Sequence, residues 1–300
     1  MKSMKITFLG TAAMQPTPER STTAILISHK NENILIDCGE GTQRQLKIAG
    51  IKLTKITKIL ISHWHGDHVF GLPGLISTMG ASEYSKTLEI YGPKGTKKYM
   101  KKLSKTFIPK DKVKIKVKEI KKSGQFLETK ELVFQTTDLK HSCPTRGYVI
   151  KEKDKRKMNI SYLKKFGLTR DPILGKLQSG KDIVHKGRKI LVKEATTLIP
   201  GKKISIILDS TQTPKIIEFV KNSDILIMES TFDSKLKEKA RKYKHTTAKQ
   251  AAETAKKSKS KKLILTHIGK RYNSSTPLVK EAKKVFPKTM AAKDFMTISL

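Results

Sequence analysis

The chain has 300 residues, of which 63 are Lys or Arg and 26 are Asp or Glu, giving a formal net charge of +37. This length allows one large domain or two small ones, and recurrent apolar runs argue against a disordered chain. No apolar run approaches the roughly 18 residues of a membrane-spanning helix. Because there are only two cysteines, a disulfide framework is not expected, and we predict a cytoplasmic protein.

The excess of positive charge has two explanations. Lysines can accumulate on a solvated surface without any specific partner. Alternatively, they bind a polyanion, because neutralising phosphates releases counterions and gains affinity. Nucleic acid is the first candidate. A membrane surface is less favoured, because the sequence shows no basic amphipathic helix with an aromatic apolar face.

Short apolar runs bounded by turn residues predict strands along the chain: KITFLG, TAILIS, NILID, KILIS, TLEIYG, ELVFQTTDL, RGYVI, KISIILDS, SDILIMES and KKLILTH. Helical patterns alternate with them: GTQRQLKIAG, LPGLISTMGASE, TKKYMKKLSKTF, TPKIIEFVKN, TTAKQAAETAKKS and TPLVKEAKKVF. Thr213 as N-cap and Pro214 at the first helical position mark the start of one helix. This alternation is typical of an α/β fold in which helices cover sheets.

Residues 151–194 have a different character. The segment is basic, punctuated by glycine and only weakly periodic, and it includes KKFGLTRDPILGKLQSGKDIVHKGRK. We therefore predict an inserted arm within a chain that otherwise forms a single domain over residues 1–300.

The stretch ISHWHGDHVFGLPGL, residues 61–75, places His63, His65, Asp67 and His68 directly after a predicted strand. In a strand, side chains two residues apart point the same way, so the imidazoles of His63 and His65 can bind the same metal ion. Four metal-ligating side chains in one loop are too many for a single ion that also binds residues from elsewhere. The cluster therefore favours two ions. Imidazole with carboxylate suits Zn²⁺, and Mn²⁺ or Fe²⁺ would tolerate the same ligands. A histidine-rich surface turn is the alternative, and this spacing disfavours it.

The remaining ligands are expected at other strand ends. His141, Asp209 and His267 each end an apolar run, where loops collect at one edge of a sheet. Each of them alone could be a structural hydrogen-bonding residue. Together with the histidine cluster, they would complete two metal sites.

In this order, these residues resemble the metallo-β-lactamase superfamily, which implies a four-layer αββα sandwich with a dinuclear metal site at one edge. Further segments are similar to the ribonuclease Z family over nearly the whole chain: FLGTAAMQPTPERSTTAILI, ILIDCGEGTQRQL, GDHVFGLPGL, LIMESTFD and KHTTAKQAAETA. That resemblance implies a zinc-dependent endoribonuclease that removes the 3′ trailer from precursor tRNA.

The resemblance also implies a role for each ligand. One Zn²⁺ would be held by His63, His65 and His141, and the other by Asp67, His68 and His267, with Asp209 bridging them. A hydroxide between the ions would attack the phosphorus, leaving a tRNA 3′-OH and a trailer 5′-phosphate. Asp67 would also orient the nucleophile. His245, held by Glu229, would protonate the leaving oxygen.

Substrate contacts follow from the same resemblance. Arg20 lies in the loop of residues 16–21, which lacks the Lys and Asn of the family pattern Pro-x-Lys-x-Arg-Asn, and Lys176 lies in ILGKLQSGKDI. Within the arm, residues 151–188 would grip the tRNA elbow. Short members of the family are homodimers, so the resemblance also implies a homodimer. The lysine-rich residues 94–118 are a second candidate RNA surface, with a merely solvated face as the alternative.

Two other functions fit the same residues. The chain could be another hydrolase of this fold that acts on small esters or phosphodiesters. It could also be a metal-stabilised RNA-binding protein without catalysis. The basic arm favours a tRNA substrate, and the intact Asp67, Asp209 and His245 favour catalysis.

Overall fold

A computed structural model describes residues 3–106 and 113–300. Part of the basic region 94–118, including the last residue of the predicted helix TKKYMKKLSKTF, lies outside the described residues. In the described parts of the chain, no helix is both long enough and apolar enough to cross a bilayer.

The secondary structure follows the predicted alternation of strands and helices. Strands β1 to β10 are Lys5–Gly10, Ala12–Ala13, Ala24–His29, Glu32–Ile36, Lys58–Leu60, Thr87–Gly92, Lys114–Glu119, Gly124–Glu128, Leu132–Leu139 and Thr145–Glu152. Strands β11 to β20 are Lys155–Met158, Ile183–His185, Arg188–Ile190, Thr196–Ile199, Lys203–Ile207, Ile225–Glu229, Leu263–Thr266, Ile268–Gly269, Thr289–Ala291 and Thr297–Ser299. Helices α1 to α11 are Thr42–Ile48, Gly66–Val69, Leu72–Ala81, Thr96–Thr106, Ile160–Lys164, Leu174–Gln178, Val192–Ala195, Pro214–Phe219, Lys237–Lys242, Ala248–Lys257 and Thr276–Lys283.

Two seven-stranded sheets form the larger of two compact units, which comprises residues 1–127, 134–150 and 203–300. The strand order is β20-β1-β3-β4-β5-β6-β7 in one sheet and β19-β17-β16-β15-β10-β9-β8 in the other. The pairs from β4 to β7 are parallel, as are those from β15 through β16 and β17 to β19. Strands buried on both faces are typical of such parallel pairs, and every residue of β16 is buried.

Helices cover the outer face of each sheet. Leu46 of α1 and Met79 of α3 pack in one apolar cluster with residues of β4, β5 and β6. The alanines of α10, together with residues of α8 and α11, pack against β16 and β17. Between the sheets, the Phe126 ring lies 5.6 Å from Tyr91 and 6.0 Å from Tyr148. This helix–sheet–sheet–helix order confirms the predicted α/β sandwich.

The second compact unit comprises residues 128–133 and 151–202, and the predicted arm lies within it. Its own small core contains buried Leu163, Leu177 and Ile190. The β12–β13 hairpin turns through Lys186 and Gly187, both with positive φ, as a tight two-residue turn requires. Residues 151–202 carry fifteen Lys and Arg but only five Asp and Glu, so this small unit is strongly basic.

Candidate metal centre

The predicted ligands meet at strand ends in the larger unit. His63 follows β5, His141 follows β9, Asp209 follows β15 and His267 follows β17, while Asp67 and His68 lie on the short helix α2. Asp209 and His267 share the carboxyl edge of one sheet because β15, β16 and β17 run parallel, whereas His63 follows the carboxyl end of β5 in the other sheet.

The turn that carries α2 depends on a close backbone approach. The Cys38 amide donates to the His68 carbonyl at 2.8 Å, and the Gly71 amide donates to the Cys38 carbonyl at 2.9 Å. A Cβ at position 71 would lie 2.0 Å from the Gly39 carbonyl oxygen. Only glycine therefore fits position 71, which explains part of the GDHVFGLPG pattern.

Asp209 stands between two groups of donors. Its Oδ2 lies 3.7 Å from His63 Nε2 and 3.8 Å from His141 Nε2. Its Oδ1 lies 3.4 Å from His68 Nε2 and 3.1 Å from His267 Nε2. Each oxygen of this one carboxylate thus faces a different pair of imidazoles.

The two groups are completed by one further residue each. His65 Nδ1 lies 3.3 Å from His141 Nε2. Asp67 Oδ2 lies 3.3 Å from His68 Nε2 and 3.4 Å from His267 Nε2. Within each group, the ligand atoms all lie within 4.8 Å of one another.

These donors fit divalent metal ions. Ligands about 2.1 Å from a tetrahedral zinc ion lie roughly 3.4 Å apart, close to the separations observed here. Among the described residues, the buried His63 Nε2, His68 Nε2 and Asp209 Oδ1 have no hydrogen-bond partner. Leaving buried polar atoms unpaired is costly, and bound cations would satisfy all three. The chain therefore has the ligands for divalent metal.

Asp37, which was not assigned a role from the sequence, supports this centre by holding the imidazole of His68. Its Oδ2 lies 2.6 Å from His68 Nδ1 and accepts from the Ser62 hydroxyl at 2.6 Å, while its Oδ1 accepts from the Ser62 amide at 2.6 Å. Because the ionised carboxylate only accepts, the proton lies on His68 Nδ1, and Nε2 is free to bind metal. Asp37 occurs in the DCGEG segment, but only its place at the end of β4 hinted at this role.

A second network joins the metal ligands to His245. His245 Nδ1 lies 3.1 Å from both oxygens of the buried Glu229. Thr231, also not assigned from the sequence, donates to Glu229 Oε2 at 2.6 Å, and its oxygen lies 2.9 Å from His267 Nδ1. His245 Nδ1 is also 3.8 Å from Asp209 Oδ2, so its ring lies beside the ligands.

Burial and charge together set the protonation of these groups. Burial acts to raise the pKa of Asp209, but His267, His68 and His63 outweigh it and hold that pKa well below its usual value. Burial, reinforced by the neighbouring His68, lowers the pKa of His63 well below its usual value. Burial also opposes the charged form of His245, but Glu229 prevails and raises the pKa of His245 to about 9.

The two predicted substrate-binding residues lie in different units. Arg20 donates from Nη1 to the Tyr272 carbonyl at 2.8 Å and from Nη2 to the Asn273 carbonyl at 3.3 Å. Its guanidinium therefore anchors the loop of residues 16–21 to the segment after β18. Lys176 is exposed on α6 of the smaller unit. Contact with a substrate remains a prediction for both.

Comparisons with known proteins identify the family. The family model described as "Anti-Pycsar protein Apyc1" matches residues 4–161 and ends before Asp209, Glu229, His245 and His267. A protein named ribonuclease Z from Lactobacillus helveticus is 38% identical and covers 99% of this chain and 98% of its own length. The chain belongs to the ribonuclease Z family. The chain is thus an enzyme of this kind, with a cluster of histidines and aspartates that could hold divalent metal.

Solved structures agree with this ribonuclease Z assignment. The short form of human tRNase Z (ELAC1) has a TM-score of 0.73 and 27% identity, with 99% of each chain covered. The metallo-β-lactamase fold protein YhfI from Bacillus subtilis has a TM-score of 0.73 at 19% identity, with 100% of each chain covered. The predicted metallo-β-lactamase fold is therefore confirmed.

Proposed function

We propose that this ribonuclease Z family member removes the 3′ trailer from precursor tRNA, leaving a tRNA 3′-OH and a 5′-phosphate on the trailer. The observation that carries the proposal is Asp209, whose two oxygens face separate groups of histidines. One carboxylate between two ligand groups is suited to two cations about 3.5–4 Å apart, as in phosphodiester-cleaving two-metal sites.

We assign the ligands as two groups that share Asp209: one group is His63, His65 and His141, and the other is Asp67, His68 and His267. Zn²⁺ is the metal that these donors suit best, with Mn²⁺ or Fe²⁺ also compatible. When bound, the two cations would lower the pKa of a water and offset the charge on the phosphate oxygens.

Asp67 combines two roles in this assignment. Its Oδ2 faces His68 and His267 and also accepts from the Met14 amide at 2.9 Å. That amide fixes the carboxylate from the side of the loop that follows β2. A carboxylate held in this way can orient the attacking water while it serves as a ligand.

His245 would supply the proton that the leaving 3′ oxygen needs. Glu229 accepts from Nδ1, which leaves Nε2 as the nitrogen that can act on a substrate. Glu229 is itself fixed by the Ser210 amide at 2.7 Å and the Thr231 hydroxyl. A fixed ring beside the ligand carboxylate is the geometry expected of a general acid.

Access to the centre is uneven, and this indicates where the substrate lies. The side chains of His63, His68, His141 and Asp209 are buried, whereas His65 is exposed and His245 is partly exposed. A phosphodiester would therefore approach from the side of His65 and His245. The basic unit with Lys176 would bind tRNA through its backbone phosphates, and Arg20 would position the loop near the 3′ end.

The direct test is cleavage of a 5′-labelled precursor tRNA that carries a 3′ trailer. We expect one cut next to the discriminator base, lost on chelation and restored by Zn²⁺. Asp209→Ala should not cut, because one change removes a ligand from both groups. Robust hydrolysis of small esters without precursor cleavage would instead favour the alternative hydrolase.

The family resemblance also supports a homodimer in the cytoplasm, each subunit with two Zn²⁺. Light scattering on the purified protein would give about twice the chain mass of 33.8 kDa. A monomeric mass at working concentration would contradict the dimer without affecting the assignment of the metal ligands.

A further inference from the structure

Helix α4 carries its lysines on one side. Because successive helical residues are about 100° apart, Lys97, Lys98, Lys101, Lys102 and Lys105 all lie within about 140° of arc. The five are exposed, while Thr96 and Met100 are buried on the other side. No acidic residue occurs between positions 96 and 106, so this lysine face has no counter-charge within its own helix.

These lysines differ from paired lysines elsewhere in the larger unit. Lys58 pairs with Glu32 at 3.2 Å and Lys118 with Glu89 at 2.9 Å. Within residues 3–106 and 113–300, none of the five lysines on α4 forms an ion pair. The nearby Glu119 accepts from the Gly95 and Lys97 amides, both at 3.0 Å, and so caps the start of the helix.

Leaving this face unpaired has a folding cost. The pairs 97/101, 98/102 and 101/105 are four residues apart, and like charges at that spacing destabilise a helix. A bound polyanion would remove the repulsion, because phosphates would lie against several lysines at once.

Trp64 connects this face to the metal centre. It stands between the ligands His63 and His65, and its indole Nε1 donates to Thr96 Oγ1 at 2.9 Å. Its ring centroid lies 5.0 Å from that of Tyr99, at an interplanar angle of 33°. The first turn of α4 is therefore packed on the loop that carries the exposed ligand His65.

Tyr99 adds an aromatic surface at the edge of the lysine face. Its side chain is 44% exposed although it stacks on Trp64. An exposed aromatic ring beside several cations is the combination by which proteins hold an RNA strand, through base stacking and phosphate contacts.

We propose that the lysine face of α4, with Tyr99, is an RNA-binding surface that holds the substrate backbone next to the scissile phosphate. This inference rests on the proposed function for the identity of the RNA. It is distinct from the arm, because every residue that carries it lies in the larger unit. An RNA strand leaving the centre on the His65 side would meet the first turn of α4.

The test compares two triple variants that remove the same charge. Lys97→Gln/Lys101→Gln/Lys105→Gln alters the lysine face, and the control Lys280→Gln/Lys283→Gln/Lys284→Gln alters exposed lysines in and next to α11. Binding of a labelled precursor tRNA is measured by anisotropy with chelator present, at several salt concentrations. Single-turnover cleavage by the metal-loaded protein gives the half-saturating concentration and the maximal rate.

We expect the α4 variant to bind about tenfold or more weakly, with a salt slope lower by about 2, since each phosphate contact contributes roughly 0.7–0.9 to that slope. The half-saturating concentration should rise while hydrolysis of bis-p-nitrophenyl phosphate stays unchanged. Equal binding by the two triple variants would overturn the proposal. Failure of the wild type to cut the precursor would count against the proposed function only, because the binding comparison still decides the role of α4.

Discussion

Replacing Asp37 with Asn should weaken metal binding although Asp37 does not belong to either ligand group. The carboxylate accepts from the Ser62 amide, the Ser62 hydroxyl and His68 Nδ1, all at 2.6 Å. An Asn that keeps its oxygen on the Ser62 amide presents its NH₂ group to His68 Nδ1. The imidazole must then carry its proton on Nε2, the nitrogen that faces Asp67 and Asp209.

The size of the effect follows from what is lost. Removing a partner that holds a metal-binding histidine costs 10- to 100-fold in metal affinity, or about 1.4–2.7 kcal/mol. The metal-free protein loses a hydrogen bond to a charged group, worth about 1.5–3 kcal/mol. Backbone strain should not contribute, because position 37 has a φ of 57° and Asn tolerates that region as well as Asp.

The assay is a competition titration with a zinc chelator, together with thermal unfolding of the metal-free protein. Asp294→Asn is the matched control, because Asp294 also accepts three hydrogen bonds, from the Ser21 backbone amide, the Thr11 hydroxyl and the Gln45 side-chain amide. Both variants should unfold at lower temperature, but only the Asp37 variant should bind zinc more weakly. Wild-type zinc affinity in Asp37→Asn would refute the argument that Asp37 sets the tautomer of His68.

Three further outcomes are expected. Thr231→Val should lower zinc affinity about tenfold while Thr231→Ser retains it, because the hydroxyl between Glu229 and His267 holds the His267 imidazole. Equal zinc affinities of the two variants would contradict this role of the hydroxyl. His245→Ala should slow precursor cleavage by about 10²–10⁴ but affect bis-p-nitrophenyl phosphate far less, since that leaving group needs no proton; equal losses would argue against a general acid. Zinc at 100 times its Kd should stabilise the wild type by about 2.7 kcal/mol for each bound ion in calorimetry, or about 5 kcal/mol for two ions, and Asp209→Ala should show little of this gain.

The ligand set could be predicted because its signals are local. His63, His65, Asp67 and His68 crowd one turn, and His141, Asp209 and His267 each end an apolar run. Strand ends of a layered α/β fold share one edge, so position along a strand was a guide to position in space. The structure brings all seven residues together.

The residues that support the ligands, Asp37 and Thr231, could not be predicted from one sequence. Asp37 also ends an apolar run, but nothing local distinguishes a ligand from a residue that holds one. Thr231 supports the centre by contacting Glu229 and His267, and His267 lies 36 positions further along the chain. Such contacts depend on side-chain directions at the sheet edge rather than on spacing. The stacking of Tyr99 on Trp64, 35 positions apart, is equally invisible in the sequence.

The most direct test of the account is to titrate the metal-free protein with Zn²⁺ while measuring bound metal and precursor tRNA cleavage on the same samples. We expect activity to rise until two ions are bound per chain, with one cut at the discriminator base. Full activity at one ion per chain, or two bound ions without cleavage of any precursor, would contradict the claim that Asp209 joins two metal sites on one scissile phosphate.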